Sequence, residues 1–250
     1  ASGLGEATAR ELARLGAKVA VLDRNAELAA KVAAAINEEF GNGSAVACPC
    51  DITDPASDTA AIEQAFVRNV AILVLDMCGF SRITQSHGII HFLAMIHQME
   101  QAARPAIRGN GGEIIKQEAD NLFAIFNTPG QALEAALDTL RALQAMNTVL
   151  PPERILNVSA GIGFGPTLVI AQQDLFGPEM NCACKLGEDI AGANDILLTE
   201  AAHAGLPPGR YICDGASYQI SGMELHAHRF GHCLFERPLN SPPPGATSPR

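Results

Sequence analysis

The chain has 250 residues, of which 48% are hydrophobic and 18% are charged, and its formal net charge is −10. This length suits one large or two small domains, and the charged share is too low for an intrinsically disordered chain. The negative charge argues against a nucleic-acid-binding surface, because contacts to phosphates need lysine and arginine.

The lengths of the apolar runs and the number of cysteines indicate the cellular location of the protein. No apolar run approaches the ~20 residues of a membrane span, and the first residues lack the basic and apolar regions of a signal peptide. The cysteines number seven, which is odd, and their spacing matches no zinc pattern. We therefore expect a cytoplasmic protein with reduced thiols and no membrane segment.

The first 66 residues alternate between helix and strand patterns, which is typical of an α/β fold. The predicted elements are a helix at 6–15, a strand at 18–22, a helix at 25–40, a strand at 45–51 and a helix at 55–66. Gly3 and Gly5 stand at the start of the first helix, where backbone N–H groups can bind a diphosphate. Asp23 ends the next strand, where an acid can bind a ribose hydroxyl.

This segment resembles the start of a short-chain dehydrogenase/reductase. Residues 1–5 (Ala-Ser-Gly-Leu-Gly) resemble the second half of that family's glycine-rich fingerprint. Asp23 matches its NAD-preferring acid, and Asp51 with the isoleucine after it matches its adenine-contacting pair. The family's catalytic serine and Tyr-x-x-x-Lys pair do not appear. The resemblance implies a truncated, Rossmann-like segment whose Gly3, Gly5, Asp23 and Asp51 are the remnant of an NAD site.

From residue 70 the pattern changes to strand, long helix, hairpin and helix. The first predicted elements are a strand ending at residue 75, a helix at 83–103 that stops before Pro105, hairpin strands at 113–116 and 121–126, and a helix at 131–146. A strand at 155–164 follows and resumes at 168–171 after a Gly-Pro turn. The last predicted elements are a short helix at 178–189, a strand at 196–198 and a closing hairpin at 211–220 and 223–230. The Pro-rich residues 238–250 predict a disordered tail.

Two acidic residues stand at strand ends in apolar surroundings. Asp76 follows the apolar run 72–75, and Asp120 lies at the hairpin turn before the apolar run 122–126. A carboxylate in such a place is costly to bury unless a positive charge compensates it. Taken singly, the two acids are a strand-end cap and a turn residue, but as a pair they suggest a shared divalent cation.

Residues 70 to about 236 resemble the catalytic domain of class III nucleotidyl cyclases, the adenylate and guanylate cyclases. Residues 76–81 (Asp-Met-Cys-Gly-Phe-Ser) resemble the family's Asp-Ile-x-Gly-Phe-Thr. Residues 111–120 resemble its Gly-Gly-x-x-x-Lys-x-x-Gly-Asp hairpin, and residues 174–185 its Asp-x-x-Gly-x-x-Val-Asn-x-Ala-x-Arg helix. The resemblance implies an α+β, ferredoxin-like domain over residues 67–237, with an antiparallel-rich sheet and flanking helices.

The same resemblance implies metal ligands. Asp76, Asp120 and the backbone carbonyl of Met77 would bind two Mg²⁺ or Mn²⁺ ions, and Gly79 and Phe80 would lie against the substrate. The chemistry agrees, because one ion can lower the pKa of the ribose 3′-hydroxyl while a second holds the triphosphate. Mg²⁺ commonly uses one or two carboxylates together with phosphates.

Lys116 and Asp174 would contact the base. A lysine only donates hydrogen bonds and an ionised aspartate only accepts them. Adenine offers an acceptor at N1 and a donor at N6, whereas guanine offers the opposite arrangement. The pair therefore favours ATP over GTP, although each residue taken singly has the simpler interpretation of a surface lysine or a loop acid.

The resemblance assigns transition-state roles to Asn181, which would position the ribose, and Lys185, which stands where the family usually has arginine. Lysine lacks the planar fork that binds two phosphate oxygens at once. We therefore expect reduced turnover or compensation by another cation such as Arg154 or Arg210. Ala119 replaces the family's turn glycine and would be strained if its φ angle were positive.

The leading functional hypothesis is an adenylate cyclase that converts ATP to 3′,5′-cyclic AMP and pyrophosphate by metal-assisted attack of the ribose 3′-OH on the α-phosphate. In the family the active site forms between two domains, and this one chain carries both residue sets, so a head-to-tail homodimer is implied. The alternatives are a catalytically weakened, cyclase-like nucleotide-binding or regulatory domain and, ranked last, an NAD-dependent oxidoreductase remnant.

Overall fold

The computed structural model describes residues 3–79, 88–170, 173–220 and 223–233. Its internal contacts divide the chain into two compact units, Ala1–Val67 and Arg68–Arg250. The predicted disordered tail at 238–250 lies outside the described residues.

The first unit alternates helices and strands as the sequence predicts. Its elements are α1 (Leu4–Arg14), β1 (Val19–Asp23), α2 (Ala26–Phe40), β2 (Ala45–Pro49) and α3 (Pro55–Phe66). β1 and β2 pair in parallel, with Asp23 opposite Pro49. Val32 and Ile36 of α2 are buried with Val21 of β1, and the Asn25 side chain caps α2 by accepting from the backbone N–H of Leu28. The Rossmann-like character expected for this segment is confirmed.

The second unit is built on one large sheet. Its elements are β3 (Val67–Met77), α4 (Ile89–Gly109), β4 (Glu113–Glu118), β5 (Asn121–Phe126), α5 (Pro129–Asn147), a 3₁₀ turn (Pro152–Arg154), β6 (Val158–Ile170), β7 (Asp174–Phe176), α6 (Pro178–Cys184), a π-helical segment (Lys185–Ile190), β8 (Ile196–Thr199), α7 (Glu200–Ala204), β9 (Tyr211–Ile220) and β10 (Met223–Cys233). The strand order is β4-β5-β3-β6-β8-β10-β9, and β7 pairs with β6.

The central strand β3 contributes to the core on both faces of the sheet. Alternate residues from Ala71 to Met77 pack with α4 and α5 in one hydrophobic cluster, and Val70, Ile72 and Val74 pack in a second cluster with Met180 and Ala183 of α6. Successive side chains of a strand point to opposite faces, so a continuous apolar run is what a doubly covered strand requires. The expected α+β architecture with its antiparallel-rich sheet is confirmed.

Glycines set the position of the α6 helix and the π-helical segment on the sheet. A Cβ atom at Gly161 would lie 2.0 Å from the carbonyl oxygen of Ala183, and one at Gly163 would lie 2.5 Å from that of Glu179. A Cβ atom at Gly187 would lie 3.0 Å from the backbone nitrogen of Gly161. Backbone therefore rests directly on backbone, and any side chain at these positions would force the helix away from β6.

Three predicted boundaries were wrong. Helix α4 continues through Pro105 instead of stopping before it. Proline in a helix interior removes one hydrogen bond and costs roughly 3 kcal/mol, but Ala103 and Ile107 on either side are buried in the main core. Strand β6 runs unbroken through Pro166, which lies between the residues paired with β8 and those paired with β7. The helix predicted at 178–189 is α-helical only to Cys184.

Candidate active site

Asp76 is the penultimate residue of β3 and lies opposite Asn121 of β5 in the strand register. Its carboxyl group is partly buried, and burial together with the negative charges of Asp120 and Glu188 raises its pKa to about 7. A hydrogen bond from the backbone N–H of Met77 acts in the opposite direction. The folded chain therefore surrounds this acid with negative charge, which is an environment that a bound cation would relieve.

Asp120 lies in the two-residue loop between β4 and β5, directly after Ala119. Ala119 has a φ angle of 51°, so the left-handed conformation that glycine prefers is indeed required where this chain has alanine. The short loop brings the carboxylate of Asp120 close enough to Asp76 to raise the pKa of that acid. The structure thus brings together the two acids predicted to share a cation.

The chain after Asp76 is fixed to the neighbouring strand β6. The backbone N–H of Cys78 donates to the carbonyl of Asn157 at 2.9 Å, and the hydroxyl of Ser159 donates to the carbonyl of Asp76 at 3.4 Å. Gly79 follows in a turn with a φ angle of 92°, which suits glycine. Phe80, predicted to contact the substrate, lies outside the described residues.

Lys116 and Asp174, the predicted base-contacting residues, form an ion pair. The Lys116 Nζ lies 2.9 Å from Asp174 Oδ1 and 2.9 Å from Glu118 Oε2, and 4.8 Å from the centre of the Phe123 ring. The carboxylates of Glu118 and Asp174 raise the pKa of Lys116, and Lys116 lowers the pKa of Asp174. Asp174 is the first residue of strand β7, not a loop acid, and its pairing with β6 fixes its backbone.

Asn181 and Lys185 lie on the helix that the glycine contacts hold against β6. Asn181 is exposed within α6, and Lys185 begins the π-helical segment. In the described part of the chain, neither side chain forms a hydrogen bond or an ion pair. Arg210, one of the two cations suggested to compensate for Lys185, pairs with Glu134 at 2.6 Å, and Arg154 is exposed in the 3₁₀ turn.

The donor set fits a hard divalent cation that also uses oxygens from outside the chain. Asp76 and Asp120 supply carboxylate oxygens, and their mutual repulsion would be relieved by a positive ion. Across residues 3–79, 88–170, 173–220 and 223–233, no group of three or more His, Cys, Asp or Glu side chains is arranged to hold a metal ion. Two carboxylates completed by backbone, water and phosphate oxygens are the usual Mg²⁺ arrangement.

Glu188 is a polar residue near this site that the sequence reasoning missed. Its Oε1 accepts a hydrogen bond from Asn121 Nδ2 at 3.1 Å, and its carboxylate adds to the negative charge that raises the pKa of Asp76. Glu188 follows Lys185 by three residues, which is about one helical turn. This spacing was the one feature of the sequence that could have indicated that Glu188 lies on the same side of the helix as Lys185. Its proximity to the β4–β5 loop depends on the sheet contacts of the helix.

The predicted NAD-like residues of the first unit lie at the start of α1 and at or after the ends of β1 and β2. Gly3 has a φ angle of 60° and caps the start of α1, and Gly5 lies in its first turn. Asp23 Oδ1 accepts from the backbone N–H of Asn25 at 2.8 Å. Asp51 Oδ1 accepts from the backbone N–H and hydroxyl of Thr53. Asp23 ends β1 and Asp51 lies two residues after the end of β2. Because these neighbouring strands are parallel, both acids lie at the same edge of the sheet.

Comparison with known proteins gives two kinds of match. The short chain dehydrogenase family matches residues 1–117, which confirms the resemblance of the first segment. This match extends past residue 66 through β3 and α4 into β4, elements that the structure assigns to the second unit. Both units contain a strand followed by a helix and another strand. A family match that depends on this order of elements can therefore continue past the boundary between the two units.

Two curated relatives are named adenylate cyclases. "Putative adenylate cyclase 3" of Rhizobium meliloti (strain 1021) is 24% identical over 163 residues, which cover 64% of this chain and 27% of that protein. An adenylate cyclase of Streptomyces coelicolor is 25% identical over 142 residues, which cover 57% of this chain and 35% of that protein. The chain thus matches about a third or less of the length of these curated relatives.

Solved structures define the class of fold. The catalytic core of a rhodopsin-guanylyl cyclase with converted specificity, solved with ATPαS, matches with a TM-score of 0.56 at 15% identity and covers 67% of this chain and 98% of that chain. Other matching structures include adenylyl and guanylyl cyclases. The second unit therefore has the fold of a class III nucleotidyl cyclase catalytic domain, and the resemblance seen in the sequence is confirmed.

Among the described helices, none is both long enough and apolar enough to cross a bilayer.

Proposed function

We propose that the second unit is an adenylate cyclase, which converts ATP to 3′,5′-cyclic AMP and pyrophosphate. The observation that carries this proposal is the Lys116–Asp174 ion pair, 2.9 Å long, on a cyclase fold. It sets one obligate donor beside one obligate acceptor, which is the complement of the N1 and N6 edge of adenine. The adenylate cyclase names of both curated relatives are consistent with this choice.

Asp76, Asp120 and the backbone carbonyl of Met77 would hold Mg²⁺ or Mn²⁺, two ions per site. Such ions, when bound, supply Lewis acidity and offset the charge of the triphosphate. The chain's own contribution is to fix the two acids, since Asp76 is held in β3 and its carbonyl accepts from Ser159. The raised pKa of Asp76 supports this role, because the site favours a proton or a cation over an uncompensated charge.

Asn181 and Lys185 would act on the ribose and the phosphate. The 3′ oxygen attacks the α-phosphorus as the bond to the leaving pyrophosphate breaks, and negative charge accumulates on the phosphate oxygens. A lysine ammonium stabilises that charge from one point, whereas arginine would bind two oxygens. The absence of an ion-pair partner for Lys185 among the described residues leaves its ammonium available for this purpose.

A head-to-tail homodimer would complete the site. The two acids lie at the ends of β3 and β4, whereas Asn181 and Lys185 lie on the helix over β6, and each chain would give one set to each of two sites. One matching structure is described as a non-canonical dimeric guanylyl cyclase domain and another as a monomeric one, so the dimer proposed here rests on the division of the residue sets. On this proposal, residues 67–237 form the catalytic domain, and the monomer is inactive.

The test is an assay of the purified full chain with ATP and Mn²⁺, with cyclic AMP measured by mass spectrometry. We expect product formation that the Asp76→Ala variant lacks. Sedimentation of the same sample should show a dimer, and activity per chain should fall on dilution below the dimer's dissociation constant. Equal product from wild type and Asp76→Ala would refute the proposal.

A weakened catalyst is the second candidate, and Lys185 is the observation that favours it. In that case calorimetry would detect ATP binding with Mn²⁺ while the cyclic AMP assay detected no turnover. The Lys185→Arg variant distinguishes the two, because it should restore product if lysine alone limits the reaction.

The first unit supports a separate and lower-ranked candidate, an NAD-binding remnant. The match to the short chain dehydrogenase family and the positions of Gly3, Asp23 and Asp51 support it. The test is a calorimetric titration of the full chain with NADH. Binding lost in Asp23→Ala would favour the remnant, and absence of heat would argue against it.

A further inference from the structure

We propose that Glu188 is a positioning residue for the cation site, acting on Asp120 and Asp76 through Asn121. This inference rests on the proposed function, since it concerns the same two acids. It identifies a residue outside the motif positions that the sequence resemblance assigns.

The geometry begins with one hydrogen bond between elements that are distant in the chain. Glu188 Oε1 accepts from Asn121 Nδ2 at 3.1 Å, across 67 residues of chain. Hydrogen bonds to a charged acceptor are stronger than neutral ones, so this bond ties the exposed Glu188 carboxylate to the start of β5.

Asn121 is the residue through which Glu188 reaches the acids. It follows Asp120 directly in the chain, and it stands opposite Asp76 in the pairing of β3 with β5. Its amide oxygen Oδ1 is buried and has no hydrogen-bond partner among the described residues, so Glu188 supplies the bond that fixes the orientation of this amide. Any movement of Asn121 would carry the backbone of Asp120 with it.

The position of Glu188 depends on its close-packed neighbour. Gly187 rests against both sheet strands, and a Cβ atom there would lie 3.4 Å from the carbonyl oxygen of Val74 and 3.0 Å from the backbone nitrogen of Gly161. Val74 precedes Asp76 by two residues in β3. The π-helical segment therefore sets Glu188 beside the end of β3, and the hydrogen bond to Asn121 ties this helix to the β4–β5 loop.

The test measures Mn²⁺ binding by electron paramagnetic resonance, without turnover, on wild type and three variants of the full chain. Glu188→Ala removes the charge and the acceptor, whereas Glu188→Gln removes the charge but keeps an oxygen for Asn121 Nδ2. Asp189→Asn is the matched control, because Asp189 also adds negative charge near Asp76 and forms no hydrogen bond to the loop among the described residues.

We expect Glu188→Ala to weaken Mn²⁺ binding about 10-fold or more, as loss of a residue that orients ligands commonly does. Glu188→Gln and Asp189→Asn should both weaken it by less than about 3-fold, since each removes only the charge of an exposed side chain and leaves a hydrogen bond from Asn121 to residue 188 possible. In an Asn121→Ala background, Glu188→Ala should have no further effect. At saturating Mn²⁺, Glu188→Ala should recover most of its kcat.

Three outcomes would overturn the inference. They are equal binding by the Ala and Gln variants at position 188, equal effects of Glu188→Ala and Asp189→Asn, or additive effects of the changes at 188 and 121. Circular dichroism checks that each variant folds, and if Glu188→Ala does not fold, Asn121→Ala must weaken Mn²⁺ binding by the same 10-fold or the inference fails. The proposed function fails separately, when wild type forms no more cyclic AMP than Asp76→Ala although Mn²⁺ binding still depends on Glu188 as expected.

Discussion

Two aspartates of the second unit experience opposite environments. Asp174 lies 2.9 Å from the ammonium of Lys116, and this cation lowers its pKa. Asp76 is partly buried beside Asp120 and Glu188, and its pKa rises to about 7. The chain thus provides the positive partner for one acid and leaves the other to be neutralised by something else. The difference separates a carboxylate that the chain itself pairs with a cation from one whose charge the described residues leave uncompensated.

Removal of Asp76 is the strongest test of this contrast. Asp76→Ala should lower cyclic AMP formation by about 100-fold or more, because it deletes a ligand of ions that stabilise developing charge. The measurement is the initial rate at saturating ATP and Mn²⁺. Asp214→Ala, which removes an exposed acid of β9, serves as the control and should retain activity. Comparable loss in both variants would remove Asp76 from the catalytic role.

Exchange of the charges of Lys116 and Asp174 tests the predicted base-contacting pair. The double variant Lys116→Glu with Asp174→Lys keeps an ion pair but exchanges donor and acceptor. It should shift the ratio of kcat/KM for ATP to that for GTP toward GTP by about 10-fold or more, since each wrongly paired polar group costs roughly 1–3 kcal/mol. Each single variant places like charges together and should lose activity with both nucleotides. An unchanged ratio would show that the pair does not contact the base.

The pH dependence of stability distinguishes the two acids without any turnover. The pKa of Asp76 is about 7 in the folded chain against an ordinary value of 3.8, so the folded state binds more protons between these pH values. In the absence of divalent ions, its contribution to stability is therefore lost as the pH rises from about 4 to 7. The Tm should fall over this range in wild type and fall less in Asp76→Asn.

Divalent ions should reverse that loss. Addition of Mn²⁺ at pH 8 should raise the Tm of wild type, because an ion bound only by the folded state stabilises it by mass action. Asp174→Asn should keep the fall in Tm over this pH window, since Asp76 is still present. The carboxyl of Asp174 has a lowered pKa and loses its ion-pair contribution only when the pH falls through that lowered value. A wild-type Tm that rises from pH 5 to 7 would contradict the assignment.

Lys185→Arg tests the departure from the family pattern. The planar fork of arginine can bind two phosphate oxygens, so kcat should rise by up to about 10-fold while the KM for ATP changes little. Lys185→Met removes the charge and should lower kcat. If both variants lose activity equally, lysine is the residue that this particular site requires, and the expectation of reduced turnover is wrong.

The smallest effect is expected at the β4–β5 loop. Ala119 has a φ angle of 51°, which costs an L-residue about 1–2 kcal/mol, partly offset by the greater unfolded entropy of glycine. Ala119→Gly should therefore raise the free energy of unfolding by about 0.5–1 kcal/mol in urea denaturation. Asn194, with a φ angle of 67°, is the matched control, because Asn194→Gly also loses a bond to Asn157 and should bring no gain.

The elements of the sheet were largely predictable because their patterns are local. The apolar run before Asp76, the hairpin around Asp120 and the leucine-rich helix α5 appear within one or a few residues of their predicted bounds. The errors fall where distant contacts override local preference. Helix α4 passes Pro105 because residues on both sides are buried, and β7 exists because Leu168 to Ile170 of β6 offer it a pairing edge.

The sequence by itself determined the order of the elements, the fold class and the set of acidic and basic residues that form the candidate site. Only the tertiary structure decided which of these meet: that Lys116 lies between two carboxylates, that Asp76 shares its surroundings with Asp120, and that Glu188 reaches Asn121. The physical reason is that burial, charge interaction and close backbone approach at glycines depend on strands and helices far apart in the chain, whereas helix and strand patterns depend on neighbours.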